Sequence, residues 1–200
     1  MLINSIDVDV QKKGLYLGQR QVLVNFAMSN TDSPYNDIHA EGEELTAEEL
    51  LQRISESAKK KCELICLGGG EPLLQVDYFK GVLQQMPLPL YLQTNGTLPQ
   101  NIIEVLDYIS MFGVELMPSY LNEFTQCLNV LTDSDYYVKL VVTKDVKPKE
   151  VEDYAKLIAS YNEKTVFVLE PLFGVKTYLS LQAMALRHLK DVRVVPRMHI

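Results

Sequence analysis

Short runs of apolar and β-branched residues recur along the chain at 22–26, 63–67, 88–92, 114–117, 137–143, 165–169 and 192–195. Between most of them, apolar residues return every three or four positions, the period of a helix with one buried face. The clearest case follows Leu45. Thr46 and Glu49 have the spacing of a capping box, and Ala47, Leu50, Leu51, Ile54 and Ala58 share a face. Val76, Phe79, Val82, Leu83 and Met86 repeat the pattern, as do Ile102, Ile103, Leu106 and Ile109. Lys147-Pro148 opens a further helix with Val151, Tyr154, Ala155 and Ile158 inward, and Leu179, Leu181, Met184, Ala185 and Leu189 form the last. Strands alternating with helices predict an α/β fold built on a parallel sheet. No linker, repeat or low-complexity stretch interrupts this order, so residues 1–200 are expected to form one domain.

The polar punctuation falls after the strand-like runs, at 29–37, 68–72, 94–96, 118–119, 143–145 and 170–174. In parallel α/β folds the carboxyl ends of the strands are where ligands bind. Turn residues are also what any strand-to-helix turn requires, so a single turn is no site.

Composition narrows the class. The chain has 200 residues, 47% hydrophobic and 22% charged, with a mean hydropathy of −0.02. These values exclude fibrous, disordered and disulfide-scaffold proteins. The net charge of −7 speaks against a broad nucleic-acid footprint, so no nucleic acid is expected as partner. No apolar run reaches the roughly 18–20 residues of a membrane span, and the acidic, weakly apolar start does not read as a signal peptide. Three cysteines, Cys62, Cys66 and Cys127, predict reduced thiols and a cytoplasmic location. His39 lies among Asp32, Asp37, Glu41, Glu43 and Glu44, but the spacing matches no metal-ligand pattern and reads as a solvated acidic loop. No metal site is expected.

The most informative segment is Leu67-Gly68-Gly69-Gly70-Glu71-Pro72. Its glycines permit positive φ and close approach of backbone, and Glu71 places a carboxylate at a strand end. Gly69-Gly70-Glu71-Pro72 resembles the GGEP motif of the radical S-adenosylmethionine (SAM) superfamily. The likeness continues toward the 7-carboxy-7-deazaguanine synthase group. Gly14-Leu15-Tyr16-Leu17-Gly18 is similar to that group's opening, and Gly70-Glu71-Pro72-Leu73-Leu74-Gln75 to its GEPLLQ run. Leu92-Gln93-Thr94-Asn95-Gly96-Thr97 resembles its L-E-T-N-G-T strand end. Val138-Lys139-Leu140-Val141-Val142 and Pro196-Arg197-Met198-His199 resemble later segments, so the likeness covers nearly the whole chain in order. It implies a partial (β/α)6 TIM-like barrel. It also implies SAM contacts from Gly69, Gly70, Glu71, Thr94, Asn95 and Ser119, substrate contacts at Gln11, Asp37 and His199, and a homodimer.

One departure outweighs the others. The superfamily carries C-x3-C-x2-C after the first strand of its barrel, holding an iron–sulfur cluster. Here those positions read Ser29, Ser33 and Asn36, with Asp37 following in register. Such clusters are held chiefly by thiolates, and neutral hydroxyl and amide groups are poor replacements. Cys62 and Cys66 are also separated by three residues, but in extended chain they lie about 13 Å apart. No 4Fe-4S cluster is therefore expected. Further departures accompany the first. Lys13 stands where the group has Glu, Ile38 where it has Thr, Gln93 where it has Glu, and Arg197 where it has Gln.

Three functions remain open. The chain is a cluster-less homologue without radical activity that binds SAM or a nucleotide-like small molecule, or acts through a protein partner. It is a non-radical enzyme using Glu71, Asp37 or His199 as acid or base. Or it is an active radical lyase with unusual ligands.

Overall fold

The structure is a computed structural model that describes residues 1–32 and 42–198. Seven parallel strands form its frame: β2 (Arg20–Phe26), β4 (Ile65–Gly69), β5 (Leu90–Thr94), β6 (Ile109–Glu115), β7 (Tyr136–Val142), β8 (Val166–Pro171) and β9 (Asp191–Val194). They lie side by side in sequence order, and each corresponds to one of the seven apolar runs. The outer edge is antiparallel. β1 (Leu2–Val10) pairs with β2, and the two-residue β3 (Glu43–Glu44) pairs with β1. Residues past β9 return to the β1–β2 connection through the Met198 N–H to the Lys12 carbonyl, 2.9 Å. The sheet is thus the curled α/β layer expected, with a seventh parallel strand and a hairpin added to the six-unit barrel.

Alternation along each strand sends successive side chains to opposite faces. The helix-bearing face carries the main core, including Val24, Ile65, Leu67, Leu92, Phe112, Val114, Val138, Leu140, Phe167 and Leu169. Against it pack α1 (Ala47–Ala58), α2 (Val76–Phe79), α3 (Pro99–Ile103), α4 (Leu121–Val130), α5 (Pro148–Tyr161) and α6 (Tyr178–Ala185). The capping box of α1 is formed: Thr46 Oγ1 accepts from Glu49 N–H at 3.2 Å, and Glu49 accepts from Thr46 N–H at 2.8 Å. The concave face carries a smaller apolar cluster of Leu64, Cys66, Tyr91, Tyr137 and Val168.

Two expectations are corrected. The Ile102–Ile109 periodicity does not continue as one helix. α3 ends at Ile103, a 3-10 turn spans Leu106–Tyr108, and Ile109 opens β6, so this strand ends at Glu115 and not at Met117. The segment 76–86 is α2 followed by a 3-10 turn, Lys80–Gln85. No helix among the described residues is long and apolar enough to cross a membrane.

The turn after β4 docks on the backbone that continues β2. Gly70 N–H donates to the Phe26 carbonyl at 2.8 Å and Glu71 N–H to the Met28 carbonyl at 2.7 Å. A Cβ at Gly70 would lie 2.0 Å from the Met28 oxygen, a distance only backbone movement relieves. Gly70→Ala is expected to destabilise the protein by about 3 kcal/mol, the upper range for overpacking. Urea unfolding checks this, and a loss below about 1 kcal/mol would contradict the docking described.

Candidate functional site at the carboxyl edge of the sheet

Glu71 lies at the floor of the site and is fully buried. One carboxylate oxygen accepts from Leu73 N–H at 3.1 Å. The other accepts from Thr94 Oγ1 at 2.9 Å and Asn95 N–H at 2.7 Å. The carboxylate therefore clamps the end of β4 to the end of β5. The β2 loop joins the same knot: Asn30 donates to Thr97 Oγ1 and accepts from Asn95 Nδ2, both at 2.8 Å. Gly69, with φ of +91°, and Gly70 face backbone of β2 and its loop, so their missing side chains serve this packing.

Above this knot the concave face is charged. Glu115 on β6, Lys139 on β7, Glu170 on β8 and Arg197 beyond β9 alternate in sign across the sheet. Lys139 Nζ lies 2.7 Å from Glu115 and 3.4 Å from Glu170, and Arg197 Nε donates to Glu170 at 2.6 Å. Burial disfavours the Lys139 ammonium, but Glu115 and Glu170 outweigh it and hold its pKa above the ordinary lysine value. Burial likewise opposes ionisation of Glu115, and Lys139, helped by Lys13 and Arg197, keeps its carboxyl below the usual range. Below the ladder, Gln93 Nε2 donates to Tyr91 Oη at 2.8 Å, and Tyr91 and Tyr137 share a hydrogen bond between hydroxyls.

Two spaces open here. The inner one holds about 30 Å³ among Lys13, Gly70, Gln93, Thr94, Glu115 and Lys139, room for about one water. The outer one is a cleft of about 530 Å³ over the ends of β6 and β7, the size of a small-ligand site. Ser119, Thr143 and Tyr120 offer it hydroxyls, Met117, Val146 and Tyr154 line it, and Asp32, Glu115, Asp145 and Glu150 bring carboxylates. Glu115 borders both spaces.

The expected site residues divide accordingly. Gly69, Gly70, Thr94 and Asn95 gather around Glu71, whereas Ser119 lies in the outer cleft. Gln11 is buried at the base of the concave face, where its Nε2 approaches Gln21 Oε1 at 3.3 Å and Cys66 Sγ at 3.4 Å. Ser33, Asn36, Asp37 and His199 lie outside the described residues. Ser29 is described: its Oγ donates to the Thr31 carbonyl at 3.1 Å and accepts from Thr31 N–H at 3.2 Å. Sequence reasoning passed over Glu115 and Glu170. The available signal was a charged residue closing an apolar run in a sheet covered on its outer face.

Fold and strand-end site define an α/β protein whose candidate site lies at the carboxyl edge of a mostly parallel sheet. No family model matches the chain. Among curated proteins it is 29% identical to 7-carboxy-7-deazaguanine synthase from Archaeoglobus fulgidus, over 100% of this chain and 97% of that protein. It is 26% identical to the Geobacter sulfurreducens protein of the same name, over 95% and 92%. It is 36% identical to that of Methanothermobacter thermautotrophicus over 51% of this chain and 44% of the relative. A solved tryptophan synthase alpha-subunit from Pyrococcus furiosus superposes with a TM-score of 0.41 at 14% identity, over 92% of this chain and 68% of that one. Along nearly its whole length the chain is thus similar to curated 7-carboxy-7-deazaguanine synthases.

The residues present do not fit a thiolate-held cluster. All three cysteines are described and buried. Cys66 belongs to the concave face, and Cys62 and Cys127 to the helix-side core. Burial pushes the Cys66 and Cys127 thiols up to about 12, so at neutral pH both are protonated. The loop after β2 contains no cysteine.

Burial also raises the Glu71 carboxyl to about 7, with Leu73, Asn95 and Thr94 pulling the other way. Its folded-state pKa thus exceeds its unfolded value. The resulting stabilisation is complete below about pH 4.5 and is lost as pH rises through about 7. The unfolding free energy of the wild type, taken relative to Glu71→Gln, should fall by up to about 3 kcal/mol between pH 4.5 and 8. Denaturant titrations across that window test this, and parallel pH profiles would refute it.

Proposed function

We propose that this chain is a deazaguanine synthase-like protein that assembles no iron–sulfur cluster, runs no radical chemistry and acts by binding. The ligand is SAM or another adenosyl compound, held in the outer cleft. The observation that carries this reading is chemical: no cysteine stands between Phe26 and Lys61, and Ser29 hydrogen-bonds Thr31 within its own loop. A hydroxyl carries no charge at neutral pH and lacks the softness that iron–sulfur ligation needs.

The cleft supports the binding half of the reading. Ser119 and Thr143 present hydroxyls suited to a ribose, and the Met117, Val146 and Tyr154 surfaces suit a purine. Glu115 offers a carboxylate to a cationic centre at the inner end. Glu71 already accepts three hydrogen bonds from the chain, so in this reading its part is to set the spacing of the strand ends. A protein so equipped would report or store its ligand, or hold it for a partner.

Two measurements test the two halves separately. Anaerobic reconstitution with ferrous iron and sulfide is expected to leave the protein colourless, with iron well below one equivalent. Stoichiometric iron and sulfide, with reductive cleavage of SAM, would overturn the non-radical assignment. Calorimetry with SAM, S-adenosylhomocysteine and AMP is expected to detect binding of at least one. Ser119→Leu should weaken that binding about tenfold, equivalent to about 1.4 kcal/mol. Absence of heat with all three would overturn the ligand reading.

A further inference from the structure

The concave face is covered from two sides. On one side lies the connection 11–19 between β1 and β2. It is drawn shut by Gln11 N–H to the Gln19 carbonyl and Gly18 N–H to the Gln11 carbonyl, both 2.8 Å. Leu15 and Tyr16 pack into the Cys66–Tyr91–Tyr137 cluster. Tyr16 meets Tyr91 edge-on with ring centroids 4.9 Å apart, and the Leu15 backbone hydrogen-bonds Tyr137. On the other side lie residues 195–198. Val195 N–H donates to the Leu169 carbonyl at 2.9 Å, Arg197 to Glu170 at 2.6 Å, and Met198 N–H to the Lys12 carbonyl at 2.9 Å. The last of these ties the two covers together.

We propose that the 195–198 segment is a strap that latches the 11–19 loop over the concave face, and that releasing Arg197 from Glu170 lets the loop lift. The anchor is a fully buried carboxylate, so the latch is a charge-assisted bond shielded from water. The loop itself is fastened by backbone bonds at the rim and by the Gln11, Leu15 and Tyr16 side chains, few enough tethers for a segment that opens locally before the sheet does. With the latch closed, only about 30 Å³ remains inside. Glu115, Lys139 and Glu170 also link the latch to the outer cleft through consecutive ion pairs. The strap needs no ligand to exist, so it stands or falls independently of the binding function above.

Cys66 is a built-in reporter. It lies beneath the 11–19 loop, with Gln11 Nε2 at 3.4 Å from its sulfur. Cys62 and Cys127 lie in the helix-side core and report general loosening. In the full-length chain, thiol alkylation mapped by mass spectrometry should show Cys66 reacting about tenfold faster in Arg197→Gln and in Met198→Pro, as expected for a local opening. Met198→Pro removes the donor to Lys12, and both changes lie in the terminal segment outside the core. Cys62 and Cys127 should react at wild-type rates. Unchanged Cys66 reactivity in both variants overturns the proposal, and so does equal acceleration of all three thiols.

Discussion

A buried carboxylate joins the strand ends on which the site is built. Glu71 accepts from the turn that follows β4 and from the turn that follows β5, while its own N–H and that of Gly70 bind the backbone beyond β2. Three successive strand ends are thereby fixed relative to one another. Such a carboxylate is costly to bury unless its oxygens are satisfied, and here the chain itself supplies three donors. The Gly-Gly-Glu turn is thus a structural joint in this protein, whatever ligand lies above it.

The charged ladder above that joint follows from the same geometry. Parallel strands place Glu115 opposite Lys139 and Val141 opposite Glu170, so side chains of one face stack along the carboxyl edge. Like charges in neighbouring positions would be untenable in this low-dielectric setting. Alternating signs make each charge the counterion of the next. Removing one member would strand its neighbour, which is the expensive way to break a buried pair. Apolar residues of similar volume would serve stability as well.

The frame was legible because every parallel strand is a run of β-branched and apolar residues bounded by turn formers. β1 was not, since Asn4, Ser5, Asp7 and Asp9 disguise a strand with one polar face as a loop. Ile109 deceived for another reason: its spacing from Ile102 and Leu106 fits a helix, and only the packing ends that helix at Ile103. In the site, the Gly-Gly-Glu sequence marks a strand-end turn, but the contacts of that turn are not local. The Gly70–Met28 approach and the three donors to Glu71 join residues up to 42 positions apart. The Glu115–Lys139–Glu170–Arg197 pairs span strands separated by whole helices, and their partners cannot be read from local pattern.

The loop after β2 is fastened without sulfur. Its described part is held by backbone acceptance at Phe26 and Met28, by the Asn30–Asn95–Thr97 hydrogen bonds and by the Ser29–Thr31 turn. None of these bonds needs a thiolate or a metal. The joints at the described strand ends are amides and a buried carboxylate. The chemistry of such a barrel and its architecture are separable, and in this chain the architecture is carried by Glu71 and the backbone it gathers.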